Sequence, residues 1–301
     1  MELFSRMITL TLQLSVPLVL GAMCGTIAER GGIILLGVEG LMLLGAFTGV
    51  LGSHLTGNAY AGVLFSIVFG GFFGYLYTVF CLKLKAHQSV VGVGINMFAS
   101  GITAVLLKVF WNREGMSDPV ASIPNVTVPI ISEIPVLGML FKDQSPFLYI
   151  MILIVAAVWV VFYRTRIGLR YRAIGEQPFA AQTSGINVNK YRYIAMIFAG
   201  MVAGIGGAFL SLSQNNLFVI DMTAGRGFMG LAANIFGGWN PIGSLFAGMV
   251  FAVAQTVRFY ASDINIPIQF IQMMPYLMTL FILLFVGKKA KGPEALGKLV
   301  K

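Results

Sequence analysis

Long apolar segments alternate with short polar connections along the whole chain. A run of about 20 apolar residues is long enough to cross about 30 Å of hydrocarbon as an α-helix. Eight segments meet or approach this length: Met7–Ile27, Ile33–Gly52, Ala59–Leu82, Ser89–Phe110, Phe147–Tyr163, Tyr193–Ser213, Gly243–Tyr260 and Ile268–Gly287. A shorter, glycine-rich apolar piece occupies Gly227–Gly238. The pattern predicts an all-α, polytopic integral membrane protein with about nine transmembrane helices, in a range of about eight to ten, forming a single domain over residues 1–301.

Charged residues make up 10% of the chain, against about 25% in soluble domains. The net charge of +9 is concentrated in a few polar connections. These are a loop with Arg164, Arg166, Arg170, Arg172, Lys190 and Arg192, a tail with Lys288, Lys289, Lys291, Lys298 and Lys301, and two tight turns with Arg30, Lys83 and Lys85. Lys and Arg accumulate in cytoplasmic loops. We therefore expect a multi-pass protein of the cell (plasma or inner) membrane, with no nucleic-acid partner.

The orientation follows from the same charges. The connection Trp111–Pro146 carries both signs of charge and is assigned to the outside. Both the loop Arg164–Arg192 and the tail after Gly287 are assigned to the inside, which requires the short segment Gly227–Gly238 to cross as well. This count gives nine crossings with the N-terminus outside, and a broken second span would change the number.

Among the polar side chains within the apolar segments, Glu39, Asn96 and Asn234 are the candidates for function. An ionised carboxylate such as Glu39 costs about 2.5–3.5 kcal/mol at the centre of a membrane helix, so it must face protein or water. Two functions fit Glu39 equally: a residue of the translocation path, or a polar joint between helices. Asn96 and Asn234 can bond neighbouring helices or a polar solute. Cys24, Cys81 and the two histidines lack the spacing of a metal site, so no metal is expected.

Several chemical signatures are absent from the sequence. It contains no HExxH and no GxSxG, so neither a metalloprotease nor a serine hydrolase is indicated. It also lacks GxxxxGK[ST], so the chain cannot bind and hydrolyse ATP by a phosphate-binding loop of its own, and we expect no enzymatic activity and no cofactor. The remaining polar groups in the spans suit an uncharged polar solute.

The polar stretch GEQPFAAQTSGIN predicts a short cytoplasmic helix. Pro178 suits the first helical position and Gly185 the left-handed position after the last turn, which gives a helix over Pro178–Ser184. The helix is either a solvated connector or a knob that docks onto a soluble cytoplasmic protein. In the second case Phe179 is the apolar anchor, and Ala180 and Ala181 permit close approach.

Three blocks of the chain carry a resemblance. GLRYRAIGEQPFAAQTSGINVNKYR is similar to the coupling-helix loop of permeases in the ribose/nucleoside branch of ABC importers (the branched-chain amino acid/simple sugar permease family). AERGGIILLGVEGLMLLGAF at Ala28–Phe47 and AGRGFMGLAANIFGGWNPIGSLFAG at Ala224–Gly248 resemble two further blocks of that family. Order and spacing agree along nearly the whole chain, and the resemblance is greatest to nucleoside permeases. Leu36 and Gln177 depart from the usual residues, of which Leu36 affects the packing or the path near Glu39.

The resemblance implies an ABC importer permease fold with a cytoplasmic coupling helix. It also implies three partners: a second permease subunit, often a paralogue that gives a heterodimer, a cytoplasmic ABC ATPase and an extracytoplasmic substrate-binding protein. The outer loop Trp111–Pro146, stiffened by five prolines, either docks that binding protein or is a plain surface loop. The residues expected to couple the permease to the ATPase are Gly168, Arg170, Arg172, Gly175, Glu176, Pro178, Phe179, Ala180, Ala181 and Gly185.

The expected function is the permease subunit of an ATP-driven importer, forming the path for a small uncharged solute, most consistently nucleosides. One alternative is a permease for ribose or another simple sugar. An alternative of another class is an ion-coupled secondary transporter, for which Glu39 is the only available site within the spans. A purely structural membrane subunit would leave the capped cytoplasmic helix without a purpose.

Overall fold

The computed structural model describes residues 2–126, 144–261 and 292–298. Ten α-helices lie in these ranges, and none of the described residues forms an extended strand. The helices are α1 (Glu2–Glu29), α2 (Val38–Thr56), α3 (Ala59–Thr78), α4 (Gln88–Trp111), α5 (Pro146–Arg164), α6 (Arg166–Glu176), α7 (Pro178–Thr183), α8 (Val188–Ala208), α9 (Arg226–Phe236) and α10 (Pro241–Ala261). Wider π-helical turns, Val79–Lys83 and Phe209–Gln214, extend α3 and α8.

Seven described helices are long and apolar enough to cross a membrane: α1, α2, α3, α4, α5, α8 and α10. They coincide with the first seven predicted spans, which confirms the all-α, polytopic membrane fold. The eighth predicted span, Ile268–Gly287, lies outside the described residues, as do positions 127–143 of the outer loop.

Side-chain caps set several helix ends. The Asn58 side chain accepts a hydrogen bond from the Tyr60 N–H at 2.9 Å, and α3 begins there. The Asn187 side chain accepts from the Lys190 N–H at 3.0 Å. Such caps satisfy backbone donors that have no partner in the first helical turn. Because of its cap, α8 begins at Val188 rather than at the predicted Tyr193.

Glycine contacts hold the interior helices together. A Cβ atom added to Gly200 of α8 would collide with the carbonyl oxygen of Gly70 in α3, and one added to Gly204 would collide with that of Ser66. The two backbones therefore touch directly, as small-residue spacing in membrane helices predicts. α2 packs against both α3 and α8 and is mostly buried.

The second predicted span is broken near its cytoplasmic end. α2 begins at Val38 instead of the predicted Ile33, and residues 30–37 form turns and irregular chain. Side chains of other helices bond to this stretch: the Gln88 side chain accepts from the Ile34 N–H at 2.7 Å. Non-helical backbone is tolerated at membrane depth only where protein satisfies it or it lines a cavity.

The short ninth segment is also only partly helical. α9 has 11 residues, or about 16 Å, which is too short to cross the membrane alone. Residues 215–225 lead into it without helix from the outer side, where the Val120 N–H donates to the Asn216 carbonyl. After α9 the chain reaches the inner side, where the Trp239 carbonyl accepts from Arg30. The chain therefore changes sides here, as the charge pattern predicts.

Candidate functional site

The cytoplasmic loop between α5 and α8 folds into two helices rather than the one predicted. The Thr165 hydroxyl accepts from the Gly168 N–H at 3.1 Å and starts α6. Gly168 lies so close to α5 that a Cβ atom there would collide with the Val161 carbonyl. The Arg172 guanidinium lies 4.7 Å from the centre of the Tyr163 ring, a cation–π contact that holds α6 against α5. Arg170 is exposed.

α7 has the caps that the sequence predicts. Pro178 is its first residue, and Gly185 adopts φ +80° just after the last turn. The Ile186 N–H donates to the Ala181 carbonyl, which is the Schellman arrangement. Six residues are too few for a stable isolated helix, so tertiary packing is required. Ala181 supplies it by packing against Ile174 and Val188 in a small core of its own.

The outer surface of α7 is uncovered in this chain. The Phe179 side chain is 59% exposed, and Ala180 beside it is also exposed. An exposed aromatic ring flanked by a small residue, on a cytoplasmic helix, is typical of a protein-binding surface.

α6 is joined to the cytoplasmic end of α1. The Tyr171 hydroxyl donates to the Ile27 carbonyl at 2.5 Å, and burial raises the pKa of this tyrosine, so the group remains a neutral donor. A Cβ atom on Gly175 would collide with the Arg30 carbonyl. Arg30 also lies 3.7 Å from the carboxylate of Glu176. Displacement of α6 must therefore displace the end of α1.

Arg192 completes this connection. The sequence places it among solvated loop cations, yet its side chain is fully buried. Its Nε donates to the Gly31 carbonyl at 2.9 Å, and a terminal nitrogen donates to the Lys298 carbonyl at 3.2 Å. The Ala295 N–H donates to the Gly175 carbonyl at 3.0 Å. We call residues Glu29–Gly32 with these contacts the cytoplasmic junction. A buried arginine cannot be distinguished from a loop arginine by sequence position, because both follow the positive-inside pattern.

Asn96 forms hydrogen bonds both to the non-helical segment before α2 and to the first turn of α2. Its side-chain oxygen accepts from the Gly40 N–H at 2.8 Å, and its amide donates to the Leu36 carbonyl at 3.0 Å. The first N–H groups of a helix have no partner within the helix. Asn96 supplies one from α4, so the start of α2 is held by a neighbouring span.

Glu39 joins the two broken segments. Its carboxylate oxygens accept from the Gly225 and Gly227 N–H groups, each at 2.7 Å. These donors lie at the first turn of α9, where a negative charge is favoured by the helix dipole. Gly225 has φ +80°, and a Cβ atom on Gly227 would collide with the Glu39 backbone. Among the described contacts of Glu39, these bonds are those of a joint between helices; contact with the solute stays a prediction.

Asn234 lies in a buried polar cluster at the inner end of α9. It accepts from the Thr26 hydroxyl at 2.7 Å and donates to the Glu29 carboxylate at 2.8 Å. The same carboxylate oxygen accepts from the Trp239 indole N–H at 2.5 Å. Glu29 follows two residues after the first predicted span, Met7–Ile27, so the apolar pattern does not single it out.

Comparison with known proteins gives the family. A protein-family model, described as "branched-chain amino acid transport system / permease component", matches residues 7–286 of the chain. The nucleoside ABC transporter permease protein NupC of Lactococcus lactis subsp. cremoris (strain MG1363) is 37% identical over 94% of this chain and 92% of its own. The guanosine ABC transporter permease protein NupQ of Bacillus subtilis (strain 168) is 34% identical over 98% and 96% respectively. The nucleoside ABC transporter permease protein NupB of the same Lactococcus strain is 24% identical over 92% and 79%. The chain is thus a multi-pass membrane permease and belongs to the branched-chain amino acid transport system / permease component family.

Proposed function

We propose that this chain is a permease subunit of an ATP-driven ABC importer that carries nucleosides. The observation that carries the proposal is the exposed helix α7, which is fixed through α6 to the cytoplasmic junction. The named functions of NupC and NupQ, which match almost the whole chain, support the nucleoside substrate. The absence of a phosphate-binding GxxxxGK[ST] from the sequence supports ATP binding by a separate subunit.

The coupling step begins at α7. A cytoplasmic ATPase subunit covers Phe179 and Ala180, and its closure on ATP displaces α7 and α6. Tyr171 and Gly175 pass this displacement to the end of α1 and the start of the broken segment 30–37. Packed helices respond by moving as rigid elements between alternative arrangements. Gly168, Arg172, Pro178, Ala181 and Gly185 serve to position the loop, while Arg170 and Glu176 are surface groups available to the partner.

The gate in this proposal is the meeting point of the two broken segments. Glu39, Asn96 and Asn234 hold α2 and α9 in one arrangement through bonds that a helix movement would break and re-form. Discontinuous membrane helices commonly form the substrate region of transporters. For net import, solute affinity must differ between the outward and inward arrangements, because equal affinity shifts no population.

The complete importer contains further subunits in this proposal. A second permease, a paralogue of this chain, completes the path; the two Lactococcus relatives NupC and NupB are an example of two similar permeases in one organism. A substrate-binding protein docks on the outer side, against the loop that includes residues 112–126.

Uptake of radiolabelled guanosine tests the function. Cells that lack the gene are compared with the same cells carrying it, in the presence of excess unlabelled guanosine or ribose. The proposal predicts gene-dependent uptake that guanosine suppresses and ribose does not. Suppression by ribose would favour the sugar permease. Gene-dependent uptake that persists when the partner ATPase is inactivated, and collapses with an ionophore, would instead favour the ion-coupled transporter.

A further inference from the structure

An exposed carboxylate lies beside the middle of α4. The Ser100 hydroxyl donates to a carboxylate oxygen of Asp221 at 2.8 Å. Asp221 belongs to the non-helical segment 215–225 and has φ +53°. It is exposed, and in the part of the chain that the structure describes it forms no ion pair. Unlike the Glu39 carboxylate, it has acceptor positions free for another molecule.

The depth of this pair excludes a lipid-facing position. Ser100 is 12 residues from the start of α4 at Gln88 and 11 from its end at Trp111. At 1.5 Å per residue these separations are about 18 and 16 Å. Ser100 therefore lies near the middle of a membrane-spanning helix. Its partner Asp221 follows Ile220, whose N–H donates to the outer-loop carbonyl of Gly115. An ionised carboxylate exposed to hydrocarbon beside Ser100 is disfavoured. The face that carries Asp221 must meet water or another protein subunit.

The outer surface of α3 makes a useful contrast. Its exposed side chains include Leu64 at 60% and Phe72 at 50%. Side chains of this kind are suited to lipid. α3 thus forms a lipid-compatible side. α4 also exposes apolar side chains, such as Val93 and Val105, but the pair Ser100–Asp221 adds a carboxylate to its surface.

The surface of α4 around the pair is also open. Cβ atoms added to Gly94 and Gly101 of α4 would meet no atom within 4 Å. Met97, between these glycines, is 73% exposed. Among the residues that the structure describes, no side chain fills the space in front of Gly94 and Gly101, and a solute can approach the pair there.

We infer that Ser100 and Asp221 line the translocation path and bind hydroxyl groups of the solute. A carboxylate accepts short, charge-assisted bonds from hydroxyl groups and can take two at once from a vicinal diol. The ribose of a ribonucleoside presents such a diol. This inference rests on the proposed function and adds a requirement for the 2′- and 3′-hydroxyl groups. A site built to bond a hydroxyl discriminates strongly against an analogue that lacks it.

Transport of guanosine and of 2′,3′-dideoxyguanosine by the assembled importer tests the inference. Wild type should take up guanosine with the lower KM, and Asp221→Asn should raise the KM for guanosine by about tenfold or more, as loss of a charge-assisted bond predicts. The KM for the dideoxy analogue should change little. The control is Leu64→Ala, an exposed position on the surface of α3 suited to lipid, which should leave both values unchanged. Equal changes for both solutes, or none for either, in Asp221→Asn would overturn the inference; uptake of neither solute by wild type would instead refute the proposed nucleoside function.

Thiol labelling provides a second measurement if Asp221→Asn fails to assemble. Ser100→Cys in the assembled importer should react with a charged, membrane-impermeant thiol reagent, and excess guanosine should slow the reaction. Phe72→Cys, on the lipid-compatible side, should not react. The native cysteines, Cys24 and Cys81, are buried and give a low background. Failure of Ser100→Cys to react, or labelling that guanosine does not slow, would mean that the pair is covered by the second permease and not by the solute.

Discussion

The coupling loop, which consists of α6 and α7, and the intramembrane joint, at which Glu39 of α2 bonds the first turn of α9, are held together in different ways. In the coupling loop, α7 is capped by residues next to it in sequence, such as Pro178 and Gly185. In the joint, the Glu39 carboxylate accepts a hydrogen bond from the N–H of Gly225, which is 186 positions away in the sequence. The first arrangement depends on local backbone chemistry and leaves an exposed surface for a partner. The second depends on distant segments meeting inside the membrane, so a change there is expected to affect stability as well as transport.

The largest effect on transport is expected at the exposed surface of α7. Phe179→Asp combined with Ala180→Asp places two charges in the surface proposed to dock the ATPase, and such unpaired charges exclude a partner. Uptake should fall to background while thermal stability of the purified permease is unchanged, because both side chains are exposed. Gln182→Asp, an exposed position of the same helix, is the control for charge alone. Uptake that survives the double substitution would refute the coupling surface.

The next largest effect is expected at Glu39. Glu39→Ala leaves the Gly225 and Gly227 N–H groups unpaired at membrane depth. Loss of two bonds to a charged group should lower the free energy of unfolding by about 3 kcal/mol or more. Thermal unfolding in detergent measures this loss, and uptake should decline with it. Glu39→Gln keeps one acceptor oxygen and should lose less. An unchanged melting temperature in Glu39→Ala would show that the joint contributes no stability.

A smaller loss is expected at Asn96. Asn96→Ala removes its bonds to Gly40 and Leu36, and neutral hydrogen bonds contribute about 0.5–1.5 kcal/mol each. The expected loss, about 1–3 kcal/mol in total, is measured by the same unfolding experiment. Met97→Ala, at the neighbouring exposed position, should be close to wild type. A larger loss in Met97→Ala than in Asn96→Ala would contradict the contacts described for α4.

The smallest effect is expected at Glu176. Its carboxylate lies 3.7 Å from Arg30, but its side chain is 48% exposed. Exposed ion pairs contribute about 0–1 kcal/mol. Glu176→Gln should therefore change uptake and melting temperature only slightly, and less in high salt than in low salt. A severe loss of uptake without loss of stability would contradict this and show that Glu176 takes part in coupling.

The sequence predicted what depends on local composition. Apolar runs located the seven described spans, and Pro178 with Gly185 located α7 to within one residue of its end. The breaks were harder to predict, because residues 30–37 are nearly as apolar as a span. The bonds to their backbone come from side chains distant in sequence, such as Gln88, Asn96 and Arg192. The helix α6 was missed because its arginines read as a charged loop.

The polar residues also divide into those that local composition reveals and those that depend on the tertiary structure. Glu39 was singled out because a carboxylate inside an apolar run is conspicuous, but its partners were not visible in sequence. Glu29, Arg192 and Asp221 lie next to apolar runs rather than inside them, so they read as loop residues. Their burial or depth is set by the path of the chain through the membrane, which requires the tertiary structure.

Transmission through the cytoplasmic junction is the central claim of this account, and Arg192→Met tests it directly. ATP hydrolysis and guanosine uptake are measured together in the reconstituted importer, with Lys190→Met, an exposed position of the same helix, as control. Because Met leaves the carbonyl groups of Gly31 and Lys298 without their donor, the ATPase should still dock and hydrolyse ATP while uptake per ATP falls by about tenfold, equivalent to about 1.4 kcal/mol of lost coupling. Unchanged uptake per ATP in a stable Arg192→Met importer would contradict the claim.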